Sequence, residues 1–216
     1  MNFVASITEL TTAGTDLLLA LAALMAIGIL RAKSPLTTRS CYWLGIFSCL
    51  VVAAFLGAVA HGVALPNSVK EYLWLAIYLA LALLVALFVV AVVYDVFGAL
   101  TARRVLLPMM IMALGFVLYV AKFSTSFLPF IMYEVAAMLF ALSGYIYLGV
   151  RGFAGANWFS LGILLTIVAA GIQATKALSF TLVWPFDHNS VYHLLQIVAL
   201  LLLLKAVLLS REAELD

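Results

Sequence analysis

The sequence predicts an all-α polytopic membrane protein, with seven transmembrane helices in one compact bundle, the N-terminus outside and the C-terminus inside. Three observations carry this expectation. The first is composition: 68% of the 216 residues are hydrophobic and only 9% are charged, against about 45–50% and about 25% in a soluble domain. So few charges cannot shield that much apolar surface from water. The second is segment length, close to the roughly 20 residues a helix needs to cross a bilayer and unlike the roughly 10 alternating residues of a barrel strand. The third is the placement of basic residues. With the N-terminus outside, the inner side receives Arg31, Lys33, Arg39, Arg103, Arg104, Arg151, Lys205 and Arg211, and the outer side Lys70, Lys122 and Lys176. That asymmetry is the positive-inside pattern.

The first apolar segment, about 15–32, ends at Arg31 and Lys33, and the second, about 41–63, runs from Cys41 past His61 to the turn ALPNS. The third, about 72–99, is long enough to tilt and holds Asp95, expected to pair with Arg103 or Arg104. The fourth, about 105–121, ends at Lys122; the fifth, about 128–149, carries Glu134 and stops at Arg151–Gly152. The sixth, about 157–180, has Gln173 and Lys176 near its end, and the seventh, about 190–210, runs into the charged tail REAELD. Connections are short, so consecutive helices are expected to be antiparallel neighbours in a single domain spanning residues 1–216. Small residues in GVALP, ALSGY and AAGIQ are expected to allow close helix packing. Trp158 and Trp184 are read as interfacial anchors, and Cys41 and Cys49, which lack metal-ligand spacing, as buried small hydrophobes. The N-terminal MNFVASITELTTAGTD has no basic n-region and carries Glu9 and Asp16, so it does not read as a cleaved signal peptide.

The polar residues gather at one end. His61 closes an outward-running helix and His188 and His193 open an inward-running one, so all three histidines fall at the outer end with Glu71, Asp187, Gln173 and Lys176. Glu134 lies about two turns deeper. On a helix advancing about 100° per residue, His188, Asn189, Tyr192, His193 and Gln196 fall within an arc of about 140°. Three neutral imidazoles with an open fourth position suit zinc, whose bound water would have a pKa near 7. Glu71, Glu134 or Asp187 is then a candidate base or orienting group, and Tyr192 a candidate donor to a substrate oxygen. The competing interpretation is that the histidines sit at headgroup level, bonded to water and loop carbonyls. Glu134, costly within an apolar run, is expected to face the interior and pair with Lys176 or a histidine.

Seven spans with a histidine ending the second and histidines opening the seventh resemble the CREST group of alkaline ceramidases, progestin and adiponectin receptors and hemolysin III-like proteins. Members show Ser-x-x-x-His at the end of the second helix, an Asp at the start of the third and His-x-x-x-His on the seventh. Here His61 matches the first histidine, with Gly57 where the serine would stand; Glu71 lies near the family aspartate. His193 matches the last histidine, with Asn189 four residues earlier and His188 five earlier. The resemblance implies a zinc site of His61, His188 and His193 and hydrolysis of a lipid amide or ester at the outer end of the bundle.

The sequence thus offers a zinc-dependent membrane hydrolase, with Glu71, Glu134 and Tyr192 as catalytic candidates. The alternative is a non-enzymatic seven-helix sensor or lipid-binding protein with a degenerate metal site. In both, Asp187, Asn189, Gln196, Gln173 and Lys176 support the polar end, and membrane lipids are the substrate or ligand. A transporter is less favoured, because its polar groups would sit at the midplane on broken helices. A net charge of +2 with no basic cluster gives no support for nucleic acid. The localisation implied is multi-pass, in a cell or inner membrane.

Overall fold

The structure is a computed structural model that describes residues 2–33, 36–123 and 126–215, with side chains as far as Arg211; the acidic side chains of the REAELD tail lie outside the described residues. In order, the elements are α1 (Ile7–Ala32), α2 (Thr38–Gly62), α3 (Asn67–Phe97), α4 (Ala99–Phe123), α5 (Leu128–Val150), α6 (Ala156–Thr175), β1 (Phe180–Thr181), β2 (Pro185–Phe186) and α7 (His188–Leu215). All seven helices are long and apolar enough to cross a membrane, the architecture of a multi-pass membrane protein.

Local chemistry sets the helix ends. Ser6 accepts the Glu9 N–H at 3.3 Å and starts α1, and Thr37 accepts the Ser40 N–H at 3.1 Å and starts α2. Gly98, with φ +84°, separates α3 from α4. Asp187 caps α7 by accepting the Ser190 N–H at 2.9 Å. Between α6 and α7 a two-residue pairing, Phe180 with Phe186 and Thr181 with Pro185, forms a small hairpin. Ahead of α1, the chain pairs with the segment after α2: the Val4 N–H donates to the Gly62 carbonyl at 3.1 Å and the Ala64 N–H to the Asn2 carbonyl at 2.9 Å.

Six helices form a closed ring in the order α1, α2, α3, α5, α6, α7, with α7 returning to α1. Helix α4 lies outside it, packed on α3 and stacking Phe116 on Tyr133 of α5 at 4.9 Å. Consecutive helices α4 and α5 thus touch through Phe116, but in the ring α5 packs on α3 rather than on α4. Close approach relies on small side chains, with Ala82, Ala86 and Ala91 of α3 fully buried and a Cβ at Gly144 meeting Val92 Cγ1 at 3.0 Å. Cys41 is exposed on the helix surface rather than buried.

Gly155 is the tightest backbone approach. Its φ is +82°, and a Cβ there would lie 2.5 Å from the Ala206 carbonyl oxygen of α7. Gly155→Ala combines left-handed strain with a backbone clash and is expected to destabilise the protein by about 2–4 kcal/mol. Thermal unfolding in detergent checks this, and an unchanged transition would contradict it.

At the end of the bundle away from the histidines, Arg39 lies inside α2, not in a loop. Its Nε and Nη2 donate to Asp95 Oδ1 and Oδ2 at 2.6 and 2.8 Å, its Nη1 to Ser210 Oγ at 2.8 Å, and the Tyr145 hydroxyl donates to Asp95 Oδ2 at 2.9 Å. Asp95 is thus paired with Arg39, not with Arg103 or Arg104, and the network ties α2, α3, α5 and α7 together. Trp158 meets Lys205 Nζ 3.5 Å from its ring centroid, while Trp184 is exposed in the hairpin.

Candidate functional site

The ring encloses a cavity of about 700 Å³. All six ring helices line it and α4 does not. Its depth is apolar, formed by residues such as Leu50, Leu84, Phe88 and Leu203, and its polar lining includes Asp16, His61, Glu134, His188 and His193. Along α3 the lining runs from Trp74 to Phe88, about 21 Å at 1.5 Å per residue.

Helix α1 supplies carboxylates that sequence reasoning left out of the site. The helix begins at Ile7 rather than near residue 15, so Glu9 and Asp16 both ride on it. His61 Nδ1 lies 2.6 Å from Glu9 Oε2, and His193 Nε2 lies 3.2 Å from Asp16 Oδ1. The N-terminal pairing with the segment after α2 holds the start of α1 against the end of α2, which is where Glu9 and His61 meet. A second partner, Thr15 Oγ1, lies 3.1 Å from His193 Nδ1. Both ring nitrogens of His193 are therefore engaged. Gly57, at the position where the CREST pattern has serine, leaves room for Asp16: a Cβ there would lie 2.8 Å from Asp16 Oδ2.

The start of α7 carries a directed network. Asp187 Oδ1 accepts from the Ser190 N–H and hydroxyl, each at 2.9 Å, and from the Thr12 hydroxyl at 3.1 Å, while Asn189 Nδ2 donates to Asp187 Oδ2 at 3.1 Å. Gln173 Nε2 donates in turn to Asn189 Oδ1 at 2.6 Å. The carboxylate only accepts, so it fixes the orientation of the Asn189 amide, and Asn189 fixes that of Gln173.

Burial by itself would raise the Asp187 carboxyl, but the bonds from Ser190, Thr12 and Asn189 hold it below its ordinary value of 3.8. With the folded value below the unfolded one, its contribution to stability is complete above about pH 3.9 and is lost as pH falls through the lower folded value. Asp187→Asn is expected to flatten this acid-side loss and to lower stability at neutral pH. Melting temperatures of both proteins from neutral into acid pH test it; parallel curves would contradict it.

Glu134, 6% exposed on α5, accepts from the Tyr192 hydroxyl at 3.4 Å through Oε1, and its buried Oε2 has no partner among the described residues. Its expected partner, Lys176 or a histidine, is replaced by Tyr192. Lys176 is exposed, caps the end of α6 with φ 54° and borders the cavity. Gln196, one helical turn beyond Tyr192, lies 3.3 Å from the Thr166 hydroxyl. Tyr192 and all the supporting polar residues except Asp187 line the cavity. Glu71 does not: it is exposed on α3 and absent from the lining, so the structure does not bring it to the other candidates.

The histidines share the cavity, yet His188, first residue of α7, stands five residues and about 140° from His193 on a regular helix. Among the described residues, no group of three or more His, Cys, Asp or Glu side chains is placed to hold a metal ion. His193 already uses both ring nitrogens on Asp16 and Thr15, and His188 stands at the start of α7 apart from it.

A family of unknown function, DUF6962, matches residues 11–212. The chain belongs to the DUF6962 family. The match extends over all seven helices, so the ring, α4 and the cavity fall within the DUF6962 region. No curated protein and no solved structure matches the chain.

Proposed function

We propose that this DUF6962 protein binds a single-chain membrane amphiphile inside its helix ring, without chemistry. The alkyl chain occupies the apolar depth and the head group lies among Glu134, Gln173 and the histidine pairs. The basic-residue asymmetry supports an outward-facing polar end and an inward C-terminus. The observation that carries the reading is the cavity itself. At about 700 Å³ it lies within the range of small-molecule sites, and its apolar depth with a few polar groups matches an amphiphile better than a polar solute. A zinc hydrolase is less well supported, because His193 uses both ring nitrogens on α1 and His188 is set apart on α7.

Native mass spectrometry of detergent-purified protein, incubated with a mixture of single-chain lipids, tests this. One bound amphiphile per chain, surviving detergent exchange, is expected. Bare protein at saturating lipid would contradict the proposal.

A further inference from the structure

Two side chains that line the cavity each carry a buried acceptor with no donor among the described residues. Glu134 Oε2 is buried without a partner among the described residues, and so is Gln173 Oε1. The second does not depend on how the amide is turned: Gln173 Nε2 must face Asn189 Oδ1, because Asn189 Nδ2 must face the Asp187 carboxylate. An unpaired acceptor in a membrane interior is costly, and an uncompensated carboxylate more so. Three other carboxylates near the polar end have partners, Glu9 with His61, Asp16 with His193, and Asp187 with Ser190, Thr12 and Asn189. Among the described residues Glu134 has only a long bond from the Tyr192 hydroxyl, at 3.4 Å. A ligand that donates N–H groups would satisfy these atoms, and a cationic one would also favour the ionised form of Glu134.

From this we infer that the head group is a primary ammonium, making the ligand a long-chain alkyl amine. Its N–H groups are the donors that the two acceptors lack, and its charge favours the ionised form of Glu134. Trp74 and Phe127, which line the same cavity, add aromatic faces suited to a cation. A carboxylate or phosphate head would instead place like charge beside Glu134 and offer no donor to Gln173. The inference rests on the amphiphile-binding proposal above and specifies its head group.

Dodecylamine, dodecanol and dodecanoic acid share one chain and differ only in the head. Their binding to purified full-length protein at neutral pH is the test. The amine is expected to bind at least about tenfold more tightly than the alcohol, and more tightly still than the acid. Glu134→Gln is expected to erase the amine's advantage over the alcohol, bringing the two affinities to within about threefold of each other. If Glu134→Gln does not fold, the wild-type series alone decides. Alcohol or acid binding as tightly as the amine would overturn the head-group assignment and leave the amphiphile proposal standing. No binding of any of the three would overturn both.

Discussion

Arg39→Ala is expected to cost about 3–5 kcal/mol, the loss seen when one partner of a buried ion pair is removed and the other stays behind. Arg39 and Asp95 are 2% and 1% exposed and are joined by a two-pronged bond. Removing the guanidinium strands the Asp95 carboxylate, which among the described residues retains only the Tyr145 hydroxyl, and frees Ser210 Oγ from its donor. It also removes the cation that lies 5.7 Å from the centroid of Phe153 and 6.0 Å from that of Phe159. Asp95→Ala is expected to be equally severe. The double replacement Arg39→Met with Asp95→Leu should recover much of the loss, since it leaves no uncompensated charge. Unfolding of the purified variants measures all three, and a cost below about 1 kcal/mol for Arg39→Ala would show that the network is dispensable.

The second large effect concerns the cavity. Leu84→Trp places an indole in the space that the alkyl chain is proposed to fill, at a position whose side chain already lines the cavity. Loss of amphiphile affinity by more than about tenfold is expected, because overpacked volume excludes the chain outright. Leu118→Trp is the control: Leu118 lies on α4, is 70% exposed and does not line the cavity. Its affinity should stay within about twofold of wild type. Equal losses in the two variants would point to a general effect on the fold rather than to occupation of the cavity.

The seven spans are legible in the sequence because apolar runs of this length, with so few charges, suit little besides a bilayer-crossing helix. The ring order is not, because the helices are apolar nearly all round and periodicity does not tell a lipid-facing α4 from a cavity-facing α5. Glu9 and Asp16 argue locally only against a signal peptide, which hides their role in the site. Their spacing with Thr12, three and then four residues, puts all three near one face of a helix, and that is the available signal. Arg39 falls among the loop charges when the second span is started at Cys41, three residues after α2 begins at Thr38. The histidine end is visible as a shared location, but its partners are not. Those depend on α1 lying between α2 and α7, which no local pattern encodes. Glu71 fails as a candidate for a plain reason: on an exposed face of α3, its sign is right and its direction wrong.

Photolabelling in membranes with a diazirine-bearing alkyl probe, followed by mapping of the modified peptides, tests chain binding inside the ring most directly. Labels on α3 and α7 at Leu84, Phe88 and Leu203, reduced by excess unlabelled amphiphile, are the predicted result. Labels confined to bilayer-facing positions such as Ile111 and Leu118, indifferent to competitor, would contradict the claim that the ring binds a chain in its interior.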